Sequence, residues 1–180
     1  MVKTTEVVKK ITMIGTGGVG KTSLIKRFIL NIFDDKYLRT LGTKISQKVI
    51  EIEYPEKYLR IQLTMLIWDI VGQDSFRPLL QDAYFYGVNG SLAVCDATRA
   101  DTLRVLDEWV ESLHKISGDV PMIILANKCD LKDSMEIGEE TLKSYAEKYN
   151  APFLYTSAKN GENVEDAFLQ LGRMTTSEIG

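Results

Sequence analysis

One segment near the amino terminus constrains the fold of this chain more than any other. Residues 15–22 read Gly-Thr-Gly-Gly-Val-Gly-Lys-Thr and match the pattern G-x-x-x-x-G-K-[ST], in which a loop joins a strand to a helix. An apolar run ends at Ile14 and helical spacing begins at Leu24, so the motif has that setting here. Glycines let the backbone bend so that successive N–H groups point inward at phosphate oxygens. The segment therefore predicts a phosphate-binding turn in an α/β fold.

The rest of the chain alternates short β-branched runs with longer segments of helical periodicity. That alternation is typical of a mostly parallel sheet whose strands are joined by helices on both faces. The segment 54–57, with its proline and charges, predicts a hairpin between the second and third runs and hence one antiparallel edge strand. We expect a six-stranded sheet with strands at 7–14, 45–54, 59–69, 91–96, 122–126 and 153–156.

Apolar stripes at helical spacing predict the main helices. A weaker helical pattern covers 139–149, and 73–80 reads as a loop or irregular helix around Pro78. The stripes are formed by Leu24, Ile25, Phe28 and Ile29, by Leu103, Leu106, Val110 and Leu113, and by Val164, Ala167, Phe168 and Leu171.

Length and composition limit the function classes that remain. At 180 residues the chain is expected to form one domain, 1–180. Its net charge of -3 is spread along the sequence, so charge predicts no binding to nucleic acid or membrane. Cys95 and Cys129 lie in or beside apolar runs, which indicates reduced, packed thiols. We find no signal peptide or transmembrane segment and expect a cytoplasmic monomer.

The residue types of the phosphate loop suit a nucleotide. Lys21 supplies a point charge for the β- and γ-phosphates, and Thr22 offers a hydroxyl ligand for Mg²⁺. The helix that follows presents its positive end to the phosphates. A glycine-rich turn with an incidental lysine is the plainer reading, and the complete pattern in its setting argues against it. The other residues expected to contact the nucleotide here are Gly15, Gly17, Gly18, Val19, Gly20 and Ser23.

The third predicted strand ends in an acid that is followed by a glycine and a glutamine. Asp69 is placed to support Mg²⁺, and Gly72 can bring its backbone N–H to the γ-phosphate without side-chain interference. Gln73 can orient an attacking water through its amide oxygen. Each also has a plainer reading, as a strand-ending cap for Asp69 and a solvated loop amide for Gln73.

Two polar tetrapeptides follow the fifth and sixth predicted strands and suit guanine. Asp130 can accept hydrogen bonds from the N1–H and the amino group of guanine, a donor pair that adenine lacks. Such a site rejects the wrong base by about 10⁴-fold, which favours GTP over ATP. Lys128 can lie along the base. The remaining members are Asn127, which braces the loops, Ser157, Ala158, whose backbone faces the guanine carbonyl, and Lys159, which covers the other face.

Together these ordered motifs closely resemble those of the Ras superfamily, and the stretch 84–90 leading into 96–98 is similar to the Rab branch in particular. The resemblance extends from the first strand to about Met174. It implies a P-loop NTPase G domain that binds GTP or GDP with Mg²⁺ and switches between an effector-binding GTP state and an inactive GDP state. It also implies GTPase-activating, nucleotide-exchange and effector proteins as partners, and a role in signalling or vesicle trafficking.

The resemblance further implies that a first switch lies within 33–40. Thr40 would contact Mg²⁺ and sense the γ-phosphate, Phe33 would pack edge-on against guanine, and Tyr37 would close over the phosphates. Without the resemblance, Phe33 and Tyr37 would read as a hydrophobic staple against the first helix.

Several residues depart from the Rab pattern. Ile70-Val71 replaces a Thr-Ala pair, Asp74 replaces a glutamate, and Thr43-Lys44 replaces a hydrophobic-acidic pair, so regulator contacts do not transfer. The segment 175–180 has no cysteine for prenylation. Either the sequence is trimmed at this end, or the protein reaches its location by another route, such as peripheral association with a membrane through partners.

The expected mechanism is positioning and electrostatics. Lys21 and Mg²⁺ draw charge from the γ-phosphate while Gln73 aligns water; Arg39 beside Thr40 is read as solvated. With no arginine assigned in cis, we expect slow turnover that a partner's arginine accelerates by about 10³ to 10⁵. One rival is a GTP-binding interaction module with negligible hydrolysis, against which Gln73, Thr40 and Gly17 argue. A phosphate-loop kinase would need an acceptor pocket and a lid, for which no segment is long enough.

Overall fold

The computed structural model of the chain describes residues 2–34, 43–70 and 82–180. Within them, six strands form one sheet. The strands β1–β6 span Lys3–Ile14, Lys44–Tyr54, Leu59–Asp69, Gly90–Asp96, Met122–Asn127 and Phe153–Thr156. All six predicted strands are confirmed, and the bounds of β2–β6 lie within one residue of the prediction.

The first strand begins earlier than predicted, at Lys3 instead of Val7. Residues 3–6 lie outside the predicted strand, and their side chains are exposed or half-buried. They continue the strand because their backbone pairs in parallel with the start of β3, from Lys3 opposite Leu59 onward. Hydrogen bonding to a neighbouring strand therefore extends β1 beyond the segment that the hydrophobic pattern marks.

The strand order is β2-β3-β1-β4-β5-β6. The β2–β3 pair is antiparallel, with a short 3₁₀ turn at Pro55–Lys57 as its connection, and the remaining pairs are parallel. This arrangement confirms the mostly parallel sheet and its one antiparallel edge. Parallel neighbours end at the same side of a sheet, so the carboxyl ends of β1, β3, β4, β5 and β6 lie along one edge.

Four helices of ten residues or more lie in the described part of the chain. The helices α1–α4 span Lys21–Leu30, Ala100–Ser117, Glu139–Lys148 and Val164–Thr176. The predicted stripes of α2 and α4 are buried throughout, and in α1 three of the four stripe residues are buried while Ile29 is partly buried. The weaker helical prediction is confirmed as α3. The prediction for 73–80 lies outside the described residues.

The helices cover both faces of the sheet. One core cluster joins α1 and α4 to β-strand residues that include Leu92 and Val94, and the rings of Phe28 and Phe168 stack in it with centroids 4.0 Å apart. The other cluster joins α2 and α3 to residues that include Ala93 and Cys95. Successive residues of β4 thus face opposite cores, which explains why its sequence is apolar without alternation.

The cysteines and the lengths of the helices bear on two further points. Cys95 and Cys129 are free thiols and buried, as predicted. In the described segments we find no helix with the length and apolarity to cross a bilayer.

Candidate nucleotide-binding site

Backbone geometry explains the glycines of the loop after β1. Gly15 has φ +135°, and a Cβ there would come within 2.2 Å of the Val94 carbonyl oxygen. Gly20 has φ +103°, and a Cβ there would lie 2.2 Å from the Asn127 side-chain nitrogen. Both positions combine a left-handed backbone with close neighbours from other strands, so only glycine fits without displacement. The loop is thereby held against the ends of β4 and β5.

Lys21 curls back over the same loop. Its side chain is buried, with the residue 6% exposed, and Nζ donates hydrogen bonds to the carbonyl oxygens of Gly15 at 2.6 Å and Thr16 at 2.9 Å. Burial lowers the pKa of Lys21 to about 8, although the nearby charge of Asp69 acts in the opposite direction. A desolvated cation held by two neutral carbonyls gains from an anionic partner. The geometry therefore suits a phosphate group above the loop.

Thr22 and Asp69 meet beside this lysine. Thr22 Oγ1 donates to Asp69 Oδ2 at 2.5 Å, and Asp69 is 2% exposed. Burial raises the pKa of Asp69, while the Thr22 hydrogen bond and the charge of Lys21 oppose that rise. Its other oxygen, Oδ1, is buried and has no hydrogen-bond partner among the described residues. A hydroxyl and a carboxylate with a spare oxygen are the hard ligands that Mg²⁺ uses alongside phosphate oxygens.

No cluster of three or more His, Cys, Asp or Glu side chains able to hold a metal occurs in residues 2–34, 43–70 and 82–180. A two-ligand protein site that leaves the remaining positions to water and phosphate is compatible with that finding. The residues present therefore fit Mg²⁺ bound together with a nucleotide.

Asn127 joins the phosphate loop to the loop after β6. Its Nδ2 donates to the Val19 carbonyl oxygen at 2.9 Å, while Oδ1 accepts from the backbone N–H of Ala158 at 3.2 Å and the hydroxyl of Thr156 at 3.3 Å. Asn127 is 2% exposed. The sheet register explains the meeting, since Asn127 pairs with Thr156 in β6. Asn127 therefore contacts both loops, and the Ala158 N–H would have to be shared with a guanine carbonyl.

Asp130 is oriented by the loop after β6. Ser157 Oγ donates to Asp130 Oδ1 at 2.6 Å, and Ser157 itself is fully buried. The same hydroxyl accepts from the Asn160 backbone N–H at 3.2 Å, so its own position is fixed. A carboxylate held through one oxygen at a loop between two strand ends has a defined direction for its remaining lone pairs.

Lys128 makes a contact that the sequence reasoning did not include. Its backbone is left-handed at φ 69°, and Nζ lies 2.5 Å from Asp96 Oδ2. Asp96 ends β4 directly opposite Asn127 in the register and is buried. Arg99 also reaches this carboxylate, with Nε 3.1 Å from Oδ2. A strand-ending acid at the edge where the other site residues lie was a usable sequence signal for Asp96.

Arg27 is a second residue that sequence reasoning missed. From α1 its Nε donates to the Ala158 carbonyl oxygen at 2.8 Å and its Nη2 to that of Lys159 at 2.5 Å. Its Nη1 contacts Asn31 at the helix end. Arg27 thus fixes the loop after β6 from the side of the phosphate-loop helix. No motif signals this role, because the contact joins positions more than a hundred residues apart.

The remaining predicted site residues are placed as follows. Val19 is fully buried in the core, so it can face a ligand only through its backbone, while Phe33 is partly buried against the α1–α4 core. Gly17 and Gly18 complete the loop, Ser23 is half-buried in α1, and the Lys159 side chain is exposed. The predictions for Tyr37, Arg39, Thr40, Gly72, Gln73 and Asp74 lie outside the described residues.

A phosphate loop, an oxygen ligand pair and two polar loops at the carboxyl edge of a doubly wound sheet define a P-loop nucleotide-binding protein. Comparison with known proteins narrows this class. A family model described as Ras family matches residues 10–177. Ras-related protein Rab-8B of Homo sapiens is 37% identical over 174 residues, which is 96% of this chain and 81% of the relative.

Two further relatives come from other kingdoms. Ras-related protein RABD2c of Arabidopsis thaliana is 33% identical over 163 residues, covering 90% of this chain and 77% of the relative. GTP-binding protein ypt1 of Schizosaccharomyces pombe is 32% identical over 172 residues, covering 95% and 81%. The chain belongs to the Ras family of small GTPases and is a GTP-binding switch with Rab-like relatives.

Proposed function

We propose that this GTPase works through the residues assembled at the carboxyl edge of its sheet. The observation that carries the proposal is the double attachment of Asn127, which bonds the phosphate loop through Val19 and the loop after β6 through Ala158. One side chain thus joins the part of the site that suits phosphate to the part that suits a base. Residues 1–180 would act as one G domain.

Base selection is assigned to Asp130, supported by its fixed orientation on Ser157. Its carboxylate accepts from the N1–H and amino groups of guanine, and a bound adenine would leave it desolvated without donors. Lys128 and Lys159 flank the base, and Phe33 packs against its edge. The ion pair of Lys128 with Asp96 supports a fixed placement of the aliphatic stem of Lys128.

Magnesium is assigned to Thr22 and Asp69, with Thr40 as a further ligand in the GTP state. When bound, Mg²⁺ neutralises charge that develops on the phosphates. The 2.5 Å approach of Thr22 Oγ1 to Asp69 Oδ2 supports this assignment, because both oxygens already converge.

Hydrolysis is assigned to Gln73, Lys21, Gly72 and Thr40. Gln73 orients water toward the γ-phosphorus, and Lys21 stabilises the negative charge that shifts to the leaving diphosphate. Thr40 and Gly72 hold the γ-phosphate, so its loss releases two segments together and changes the surface that effectors read.

The partners and the location of the protein are proposed from its membership of the Ras family. GTPase-activating, nucleotide-exchange and effector proteins would set the state of the switch, and the protein would act as a monomer. The protein would be cytoplasmic, would reach membranes peripherally through partners, and would act in signalling or vesicle trafficking. The Rab names of its relatives support this location and role.

Single-turnover hydrolysis tests the proposed roles. Protein loaded with GTP and Mg²⁺ is followed for phosphate release beside Gln73→Leu, with ATP as competitor. We expect slow release by the native chain, loss of release in Gln73→Leu with GTP binding retained, and no competition by ATP.

The rival function is a GTP-binding interaction module in which nucleotide only stabilises the fold. Tight GTP binding with no release from either protein, and none after addition of a cell extract that contains activating proteins, would favour that module over the switch.

A further inference from the structure

An arginine just past the end of β4 lies against the phosphate loop, and none of the predicted site motifs includes it. Arg99 is the N-cap residue of α2, just past the end of β4. Its Nη2 donates to the carbonyl oxygen of Gly17 at 3.4 Å. Gly17 is the third residue of the phosphate-loop motif, between the carbonyls that hold Lys21 and the left-handed Gly18. The guanidinium therefore borders the place where the motif receives phosphates.

The side chain is aimed at the loop by Asp96. Arg99 Nε lies 3.1 Å from Asp96 Oδ2, and Asp96 is only 1% exposed. Burial alone would raise the pKa of Asp96, but hydrogen bonds from Lys128 and Thr98 lower it below its ordinary value, so the anchor is ionised. Holding Nε on Asp96 fixes one edge of the planar guanidinium, and on that edge Nη2 reaches the carbonyl oxygen of Gly17.

Charge balance leaves the arginine available for an anion. Asp96 is shared by two cations, Arg99 and Lys128, so its single charge does not neutralise both. In the described part of the chain, Nη2 meets only a neutral carbonyl at the long end of the hydrogen-bond range, and no partner is found for Nη1. The Arg99 side chain keeps 42% of its surface exposed, so an anion can reach its distal nitrogens.

We propose that Arg99 acts in cis as a catalytic arginine, donating hydrogen bonds to the phosphate oxygens of bound GTP as they gain charge. In the reaction, the water oxygen forms a bond to the γ-phosphorus, and the bond from that phosphorus to the β–γ bridging oxygen breaks with its electron pair left on GDP. The water proton passes to the released phosphate. Arg99 changes no bond itself and stabilises the charge that moves onto the leaving group. This inference rests on the proposed GTPase mechanism and replaces the sequence expectation that no arginine acts in cis.

A plainer role for Arg99 is a structural tether between α2 and the phosphate loop. A tether would stabilise the loop equally before and during the reaction. Its loss would therefore change the rate of nucleotide release more than the rate at which bound GTP is hydrolysed. Loss of a catalytic arginine would instead change the rate of hydrolysis more than the rate of nucleotide release. The two roles therefore differ in which rate constant changes.

Single-turnover hydrolysis of preloaded GTP, together with release of a fluorescent GDP analogue, separates these roles. Arg99→Ala is expected to lower the hydrolysis rate by about 10²-fold, the loss typical of one removed charge-stabilising donor, with nucleotide release changed by less than about threefold. Arg99→Lys keeps the charge without the fork and should recover part of the rate. Arg104→Ala is the matched control, because Arg104 is an exposed arginine on the same helix and faces solvent.

A second readout uses GDP with aluminium fluoride and Mg²⁺, a mimic of the transferring phosphoryl group. We expect the native chain and Arg104→Ala to form this complex without any partner protein and Arg99→Ala to fail. Circular dichroism checks that each variant is folded, and Arg99→Lys carries the test should the alanine variant unfold.

The outcomes also separate this inference from the proposed function. Gln73-dependent hydrolysis that is equal in the native chain and Arg99→Ala would overturn the catalytic arginine and leave the switch mechanism intact. Faster nucleotide release in Arg99→Ala with an unchanged hydrolysis rate would also overturn it, in favour of the tether. Absence of hydrolysis in the native chain would refute both.

Discussion

Replacing Asn127 with alanine tests the joint between the two halves of the site. The substitution removes the bond from Nδ2 to Val19 at 2.9 Å and the two bonds that Oδ1 accepts, at 3.2 and 3.3 Å. Asn127 is 2% exposed, so the groups left behind are buried. Each lost bond costs about 1 kcal/mol, which gives about 3 kcal/mol when both loops stay in place.

That full cost applies to the nucleotide-bound protein, in which the ligand holds the two loops together. In the nucleotide-free protein the loops can separate and let water reach the orphaned groups, which recovers part of the cost. The difference in cost between the nucleotide-bound and the nucleotide-free protein weakens nucleotide binding by the same amount. Since each 1.4 kcal/mol is about tenfold, we expect nucleotide release to be faster by between about tenfold and about 10²-fold.

The assay is release of a fluorescent GDP analogue after mixing with excess GDP, alongside urea unfolding of the nucleotide-free protein. Thr156→Val is the control, because it keeps the shape of the side chain and loses only the longest of these bonds. A release rate for Asn127→Ala within about threefold of the native rate, or equal to that of the control, would refute the role of Asn127 as the joint.

Three further predictions address the surroundings of the site. Arg27→Ala should speed release of GDP about tenfold because two carbonyls of the loop after β6 lose their donor, and an unchanged release rate would contradict this. Chelation of Mg²⁺ should speed nucleotide release from the native chain, whereas release from Asp69→Asn should already be fast and should not change on chelation. A release rate of the native chain that chelation does not change would argue against the metal site. Asp107 accepts from Tyr149 at 2.6 Å and pairs with Lys148 at 3.0 Å, linking α2 to α3. Burial would raise the pKa of Asp107, but these bonds lower it, so its stabilisation exists above the unfolded pKa and is lost as the pH falls. Asp107→Asn should therefore lower the free energy of urea unfolding at pH 7 by about 1 kcal/mol, a difference that starts to shrink near the unfolded pKa of about 3.9 and is lost as the pH falls through the lower folded pKa; a difference that does not narrow at all below about pH 4 would contradict the assignment.

Hydrophobic pattern and turn chemistry predicted most of the fold because they report burial directly. Strands β2–β6 are short apolar or alternating runs bounded by turns, and their bounds were readable within one residue. The extension of β1 to Lys3 was not predictable in this way, because backbone pairing with β3 holds those residues while their side chains remain outside the core. Pairing depends on the partner strand, which one segment's own sequence does not reveal.

Some residues of the site were predictable from the sequence and others were not. Lys21, Thr22, Asp69, Asn127 and Asp130 stand at loop positions that follow strands, so topology brings them together once the sheet is predicted. The arginines at the site were not predictable, because their roles are hydrogen bonds to backbone carbonyls of distant segments. Such bonds require no particular residue at the accepting position and so leave no motif.

Competition between nucleotides is the decisive test of whether this edge of the sheet binds guanine. Fluorescent GDP bound to the native chain and to Asp130→Asn is displaced with GTP, ATP or XTP. We expect GTP to displace the fluorescent GDP from the native chain while ATP fails at about 10⁴-fold higher concentration. We expect Asp130→Asn to lose affinity for GTP and gain affinity for XTP, since its amide can donate to the second carbonyl of xanthine. Displacement by ATP at concentrations similar to GTP, or an unchanged base preference in Asp130→Asn, would contradict the assignment of this edge as a guanine-nucleotide site.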